Sequence, residues 1–154
     1  MTSIQKDSRY ENYKDKIAAL PSGGKLERKR LFNAAFRIER ADNLEVYYAP
    51  FDYVNRNAEI VIVGITPGWR QMENGFRIAR EHILKGLGRV AVCRRAKRAA
   101  AFSGAMRNNL LEMLDGIGIP KAMGIGSSGE LFTRAHSRVH STSVLRYPTF
   151  VDDK

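Results

Sequence analysis

The sequence predicts a mixed α/β fold with a short central parallel sheet, and three observations support this prediction. Residues Ile60–Val63 are four consecutive β-branched apolar residues, which is typical of a strand buried on both faces. Gly64 ends the run, and Pro67-Gly68 then forces a turn, because proline fixes its own φ and glycine permits a positive φ. Segments with the apolar spacing of helices lie before and after this strand. Helices layered against a parallel strand are the arrangement of α/β domains.

Two helices are predicted before the first strand. Apolar residues three or four apart indicate a helix over residues 8–20, and the sequence Pro21-Ser22-Gly23-Gly24 ends it. A second helix is predicted over residues 25–37, with a charged side that faces solvent. Residues 1–43 are therefore interpreted as the N-terminal helical part of a single α/β domain that spans residues 1–154.

The rest of the chain alternates predicted strands and helices. Apolar and polar side chains alternate over residues 44–48, which indicates a short, half-exposed strand before the central one. After the turn, helical spacing predicts a helix over residues 76–87 and a long helix over residues 99–117, joined by a basic connector at residues 89–98. A third strand with an unusually polar middle is predicted at residues 139–145. This order of elements predicts a layered α/β domain.

The charge of the chain points to a polyanionic partner. The formal net charge is +10 and the pI is about 10.0. Nucleic acid fits this excess best, and a basic surface that only confers solubility is the alternative. A membrane partner is not predicted, because no segment is an apolar span and no basic helix carries large apolar anchors.

The sequence also predicts the compartment and the absence of bound groups. Residues Met1–Asp7 contain no apolar core of a signal peptide, and the single cysteine, Cys93, cannot form an internal disulfide or an all-cysteine metal site. We therefore predict a cytoplasmic protein that uses no metal and no cofactor.

The loop after the central strand carries a family resemblance. The sequence Gly64-Ile65-Thr66-Pro67-Gly68 resembles the first motif of the uracil-DNA glycosylase superfamily, in which a Gly-x-x-Pro loop follows the first central strand and faces the deoxyribose of a flipped nucleotide. The resemblance covers residues 59–76 well and residues 139–148 loosely. It implies a three-layer α/β/α fold of the uracil-DNA glycosylase type. The superfamily's second motif, a His- or Asn-started loop, is absent from this chain, so the fold is expected to be incomplete.

The resemblance implies binding roles for several side chains. Trp69 or Phe76 would stack on the extruded base, although Phe76 is equally well interpreted as a core residue of its helix. His140 and Ser141 occupy the strand that reads the base. The loop residues that would contact the sugar and the glycosidic bond are Gly64, Ile65, Thr66, Pro67 and Gly68.

Hydrolysis of a glycosidic bond would need a donor to the departing base and a group that holds water against the sugar. His140 is the candidate donor. Thr66 stands where many superfamily members carry Asp or Asn, and its hydroxyl is a candidate to orient the water. A hydroxyl is a poor general base, so Glu73 is the hypothesised substitute. The alternative for Glu73 is a solvent-facing ion pair with Arg70 or Arg77.

Two surfaces are predicted to bind partners. The cations of the basic connector are expected to contact DNA phosphates, without reading sequence. These cations are Arg89, Arg94, Arg95, Lys97 and Arg98. A sheet that lacks one edge strand also leaves an unpaired margin, so self-association is expected.

These observations predict a DNA glycosylase that hydrolyses the N-glycosidic bond of a flipped uracil or modified base. Two alternatives stay open. One is a nucleic-acid-binding module on the same scaffold without the chemistry, which Thr66 and the missing second motif favour. The other is an α/β enzyme acting on a free nucleotide or nucleoside, against which the net charge argues.

Overall fold

The structure contains a parallel pair of strands, as the sequence predicts. Strand β5 (Ile60–Gly64) pairs in parallel with strand β6 (Val139–Ser143), with Ile62 opposite Ser141. The protein is therefore a mixed α/β protein with a small parallel sheet.

The computed structural model describes residues 2–4 and 7–151, and residues 2–4 by their backbone only. The predictions about a signal peptide at residues 1–7 and about the domain's limits at residues 1 and 154 fall partly on residues 1, 5, 6 and 152–154. Those residues lie outside the described part of the chain.

The described residues form six α-helices, seven strands and one short 3₁₀ helix, Ser128–Phe132. The helices are α1 (Tyr10–Ala18), α2 (Arg28–Leu31), α3 (Trp69–Leu84), α4 (Arg89–Ala100), α5 (Ala105–Gly116) and α6 (Ile119–Met123). Besides β5 and β6, the strands are β1 (Thr2–Ile4), β2 (Arg37–Ala41), β3 (Leu44–Tyr47), β4 (Tyr53–Asn55) and β7 (Thr149–Val151).

The strands divide into three small sheets rather than one. Strands β2, β3 and β7 form an antiparallel sheet in that order, and β1 pairs antiparallel with β4. The predicted strand at residues 44–48 exists as β3, but it lies in the antiparallel sheet and does not extend the parallel pair.

The prediction that the central strand is buried on both faces is wrong. Ile60 and Ile62 pack into a hydrophobic cluster, but Val61 and Val63 are 54% and 57% exposed. A β-branched run indicates a strand, yet it carries no information about which layers cover it. In the described part of the chain, only the face of Ile60 and Ile62 is covered.

The helix predicted over residues 25–37 is a single helical turn, α2, followed by a bend into β2. Asn33 explains the early end. Its Nδ2 donates to the Arg30 carbonyl at 2.9 Å, and its Oδ1 accepts the Ala35 N–H at 2.9 Å. Short polar side chains that bond nearby backbone groups in this way compete with helix formation.

The other helices also differ from their predicted limits. Helix α3 begins at Trp69, well before residue 76, because the Gln71 Oε1 accepts the free Gly68 N–H at 2.9 Å and caps the first turn. The basic connector is helix α4. The long helix predicted over residues 99–117 starts only at Ala105, because the chain turns between α4 and α5.

That turn requires left-handed backbone. Phe102 has a φ of 52° and Gly104 a φ of 91°, which a right-handed helix cannot contain. The turn brings the Phe102 ring beside Gly64 at the end of β5, where a Cβ on Gly64 would lie 3.6 Å from the Phe102 Cε1.

Two hydrophobic clusters hold these elements together. The larger cluster is rich in aromatic residues and joins α1, α3 and α4 to the antiparallel sheet; within it Tyr13 stacks on Tyr48 with ring centroids 4.1 Å apart. The smaller cluster, built around Leu114, Leu131 and Phe132, packs against the covered face of β5. No helix in the described part of the chain is both long enough and apolar enough to cross a bilayer.

At Gly75 on α3, any side chain is expected to clash with the ring of Phe51 and to lower stability. A Cβ at Gly75 would lie 2.6 Å from Cε1 and 2.9 Å from Cζ of the buried Phe51. We expect Gly75→Ala to lower the free energy of unfolding by about 1–3 kcal/mol, as overpacking does. Gly116→Ala, also on a helix but with open space around it, is expected to cost nothing or to gain up to about 1 kcal/mol. Urea unfolding measures both, and a Gly75→Ala protein as stable as Gly116→Ala would contradict the packing.

Candidate functional site

A cavity of about 480 Å³ opens where strands β5 and β6 end. This volume lies in the range of small-molecule sites, and the carboxyl ends of parallel strands are where ligands bind in open α/β sheets. We call it the main cavity. It is lined by Phe51, Gly64, Ile65, Thr66, Pro67, Gln71, Lys97, Ala100, Ala101, Phe102, Met106, Ser141, Thr142, Ser143 and Arg146.

A side cavity of about 120 Å³ adjoins the main cavity, and Lys97, Ala101 and Ser141 line both. The other residues of its wall combine cations, imidazoles and apolar groups. They are Tyr53, Asn55, Asn57, Arg94, Arg98, Leu131, Phe132, His136, Ser137, Val139 and His140. A ligand larger than either space could therefore extend past Lys97 from one cavity into the other.

Thr66 holds the loop after β5 against the segment after β6. Its hydroxyl donates to the Tyr147 carbonyl at 3.3 Å and accepts the Thr149 N–H at 3.1 Å. Both partners are backbone groups, and the single hydroxyl proton is used in the first bond. The hydroxyl therefore fixes one wall of the main cavity, and the water-holding role expected for Thr66 is not supported.

Lys97 is the least expected feature of the site. It reaches both cavities from α4, is only 8% exposed, and donates from Nζ to the Tyr53 carbonyl at 2.9 Å. Within the described residues it forms no ion pair at 4.0 Å or less. Burial lowers the pKa of Lys97 to about 8, and the charge of Asp52 opposes this decrease only in part. Lys97 does not lie on the surface with the other cations of the basic connector, because its side chain points inward; its contact to phosphate stays a prediction.

A buried carboxylate lies behind the main cavity and organises the other cation. Asp52 is fully buried, and its two oxygens accept hydrogen bonds from the hydroxyls of Tyr48 at 2.8 Å and Tyr147 at 2.9 Å. The Arg146 Nη1 lies 4.0 Å from Oδ1 of Asp52, and Arg146 also pairs with Asp7. Burial raises the pKa of Asp52, against the lowering effect of the two tyrosine hydrogen bonds.

His140 lies in the side cavity with a fixed tautomer. Its Nδ1 accepts the Asn55 N–H at 3.4 Å, so the proton of the neutral ring is on Nε2. Burial lowers the pKa of His140 to about 4, and the charge of Lys97 adds to this decrease. The imidazole is therefore neutral at pH 7 and carries a donor, Nε2–H.

The structure brings together part of the predicted site. The residues of that prediction that line the main cavity are Gly64, Ile65, Thr66, Pro67 and Ser141, while Gly68 begins α3 beside it. His140 is one cavity away. Trp69 does not reach the cavity, because it packs against Phe32 with ring centroids 5.4 Å apart.

Two predicted roles are wrong because α3 turns the side chains into the core. Phe76 is fully buried and packs edge-on against Phe36, with centroids 4.8 Å apart, so it cannot stack on a base. Glu73 is also buried. Its Oε1 accepts the Leu26 N–H at 3.1 Å and lies 3.5 Å from the Arg77 Nε, and Glu73 lines neither cavity. The Arg77 pairing matches the alternative interpretation of Glu73, except that Glu73 is not solvent-facing.

The basic residues of α4 divide into two groups. Arg94 and Arg98 are exposed and line the side cavity one helical turn apart. Arg95 is exposed outside both cavities, and Arg89 lies 3.8 Å from the Glu11 carboxylate. The phosphate-binding role therefore stays a prediction for the exposed arginines.

Sequence reasoning missed several residues of the main cavity. Arg146 could have been found, because it follows β6 at the same sheet edge as the predicted loop. Phe102 and Met106 could not, because their position depends on the left-handed turn after α4. In the described residues, no three His, Cys, Asp or Glu side chains are placed to hold a metal ion.

Comparisons with known proteins add one relative. No protein-family model matches the chain, and no solved structure matches it. The chain is similar to the "Uncharacterized protein YoxB" of Bacillus subtilis strain 168, with 41% identity over 147 residues. The match covers 94% of this chain and 56% of the relative, so the chain spans little more than half the length of the protein it matches. The name of this relative states no activity, so the function must be argued from the site.

His140 is expected to make stability depend on pH. Its pKa is about 4 when folded, against about 6.5 in an unfolded chain, so between these values the unfolded state binds more protons. Stability should therefore fall as the pH decreases from about 6.5 to about 4. Urea unfolding across this range should show a slope up to about 1.4 kcal/mol per pH unit steeper for the wild type than for His140→Asn. An NMR titration of the folded protein in which His140 protonates near pH 6.5 would contradict this.

Proposed function

We propose that the protein binds nucleic acid and holds one unstacked nucleotide in the main cavity. The observation that carries the proposal is the composition of that cavity, in which two cations and several hydroxyl side chains line a mainly apolar space at the sheet edge. Lys97 and Arg146 are the cations, and both are largely withdrawn from solvent. An anionic ligand with a flat apolar part matches this combination.

The walls suit a nucleotide in two respects. The ring of Phe102, together with Ile65 and Pro67, offers apolar surface to a base. The hydroxyls of Ser141 and Ser143 lie on the strand opposite and can bond the polar edge of a base or a sugar. The cavity volume of about 480 Å³ accommodates one such unit and not a duplex.

The surface next to the cavities suits a polynucleotide better than a free nucleotide. Arg94 and Arg98 stand at the side cavity, and Arg95 is exposed on the same helix. Together with a net charge of +10, these arginines offer successive phosphates a basic track beside the nucleotide. The track makes DNA the preferred partner, and a free nucleotide would leave it unused.

The resemblance to the uracil-DNA glycosylase superfamily belongs to the same proposal. The resembling loop lines the cavity, and the parallel order of β5 and β6 agrees with the sheet that the resemblance implies. We extend the proposal to a three-layer α/β/α domain of that type, of which the described residues form one part.

Hydrolysis of the N-glycosidic bond is the second candidate function. The observation in its favour is the neutral imidazole of His140, whose Nε2–H can stabilise a departing anionic base. Against it, no Asp or Glu lines either cavity within the described residues, so nothing there can hold and activate a water. Binding without hydrolysis is therefore the better supported of the two.

Salt-dependent DNA binding tests the first candidate. We expect fluorescence anisotropy to show tighter binding to single-stranded DNA than to a fully paired duplex, with an affinity that falls as salt rises. Replacing both Arg94 and Arg98 by Gln should reduce the slope of log K against log salt by about 2, one for each lost phosphate contact. Arg40→Gln, an exposed arginine on β2, should leave the slope unchanged.

The binding measurement, together with an assay for base release, decides between nucleic-acid binding, hydrolysis and a small-molecule function. Tight binding of a free nucleotide with no affinity for DNA would replace the proposal by a small-molecule function. Abasic sites formed in a uracil-containing strand would establish the second candidate. A salt slope equally affected by Arg40→Gln would remove α4 as the binding surface.

A further inference from the structure

Lys97 has no task in binding that requires a buried, partly neutral amine. An exposed lysine or arginine would supply charge at a lower cost, because removing an ammonium ion from water is unfavourable without a close counter-ion. Lys97 lies where the main and side cavities meet, and its nearest bonded partner is a carbonyl, that of Tyr53. A desolvated lysine near a second cation is the arrangement of amines that attack carbonyl carbons.

We propose that Lys97 is a nucleophile that forms an imine with the C1′ aldehyde of an abasic deoxyribose held in the main cavity. This inference rests on the proposed binding of a nucleotide there. Abasic sugars are the matching substrate class, because loss of the base frees the carbonyl carbon and leaves the phosphates for the α4 arginines.

Formation of the imine needs no reagent beyond the Lys97 amine and the aldehyde. The lone pair of the neutral Nζ attacks the aldehyde carbon and a C–N bond forms. The two protons of the amine pass to the carbonyl oxygen, which departs as water. One C=N bond replaces one C=O bond, so neither an oxidant nor a reductant is needed. The Tyr53 carbonyl can hold one amine proton and so direct the lone pair into the cavity.

The charges around Lys97 set its protonation. Arg146 favours the neutral amine, whereas Asp52 favours the charged form. His140 is neutral at pH 7, and burial raises the pKa of Cys93, so its thiol carries no charge there. Burial is the largest effect, and it places the pKa at about 8. The reaction should therefore reach half its maximal rate near pH 8, in contrast to about 10.4 for an ordinary lysine.

Reduction of the imine tests the inference. The protein is incubated with an oligonucleotide carrying one abasic site and sodium cyanoborohydride, and the covalent adduct is measured by gel shift and located by peptide mass spectrometry. We expect an adduct on Lys97 that decreases at least tenfold in Lys97→Arg, which keeps the charge. Lys85→Arg, a surface lysine at the end of α3, should not change the yield.

The binding of the same oligonucleotide, measured without the reductant, separates the two proposals. Normal binding with no adduct, or with an adduct on another lysine, overturns the role of Lys97 and leaves the proposed function intact. Absence of binding overturns both. Circular dichroism of Lys97→Arg identifies misfolding, and in that case the adduct site in the wild type decides.

A separate observation concerns the uncovered side of the parallel sheet. Val61 and Val63 of β5 and Ile65 just after it are exposed by 54%, 57% and 79%. Within the described residues β5 pairs only with β6, so its second edge offers backbone groups to another strand. Monomeric proteins protect such edges with charges, prolines or covering elements, and this stretch has none of these.

We infer that this edge and face bind a strand-and-helix segment equivalent to the part of the Bacillus relative that the chain does not match. That part is somewhat under half of the relative. A second copy of this chain, pairing edge to edge, would lengthen the sheet but leave Val61 and Val63 exposed. A helix alone would cover the face and leave the edge unpaired. A strand parallel to β5 would pair with its edge, and the crossover helix of that strand would cover the exposed face.

Two measurements test this inference. In hydrogen exchange, the amides of β5 should exchange at least tenfold more slowly in the intact relative, at the aligned residues, than in this chain alone. When this chain is coexpressed with the unmatched part of the relative, the two should copurify as a one-to-one complex. Val63→Lys should lower that affinity at least tenfold, while Val151→Lys, at an exposed valine of β7, should not.

Sedimentation velocity of this chain alone tests whether a second copy of the chain occupies this surface instead. A dimer that Val63→Lys dissociates would assign the surface to a second copy and overturn the inference. Equal exchange of β5 in the two proteins would overturn it as well. Because Val63 is exposed, the lysine variant is expected to fold.

Discussion

The buried carboxylate of Asp52 is the interaction on which the site depends. A fully buried carboxylate is unfavourable unless its oxygens are bonded, and the two bonds come from Tyr48 and from Tyr147, residues far apart in sequence. The pair of tyrosines therefore fastens the segment after β6 to the aromatic core. Thr66 fastens the same segment to the loop after β5. The walls of the main cavity are positioned by these two ties, and the apolar contacts of β5 alone would not fix them.

The same carboxylate governs the electrostatics of the cavity. Its pKa is raised by burial, and it is the nearest anion to Arg146 and Lys97 on the inner side, yet it does not line the cavity itself. Lys97 and Arg146 line the ligand space, whereas Asp52 lies behind the cavity wall. An anion entering the cavity thus meets Lys97 without competition from a paired carboxylate, whereas Arg146 is shared with Asp7, to which it forms two hydrogen bonds. This arrangement explains why the net positive charge of the chain also appears inside the site and not only on its surface.

The sequence predicted the parts of the structure that follow from local rules. The β-branched run at Ile60–Val63 identified β5, and the rule for parallel sheet edges located the loop and Ser141 at one cavity. The predictions that failed concern the rotation of helices about their axes and the burial of strand faces. Helical spacing allowed a core position for Phe76, which the structure confirms, but with the start of α3 placed too late nothing showed that Glu73 points into the core while Gln71 faces the cavity. Helix phase is set by tertiary packing, which a single sequence does not contain.

The exposed face and the cavity share one residue, and this links the proposed binding to the proposed covering segment. Ile65 is 79% exposed and also lines the main cavity. Any segment that covers β5 must therefore border the ligand space. The described cavities contain cations, hydroxyls and a neutral imidazole, but the acidic group that hydrolysis requires is missing from them. A covering segment is the element placed to supply it. If the chain binds a nucleotide as we propose, hydrolysis would additionally need an acidic residue that the proposed covering segment brings beside Ile65.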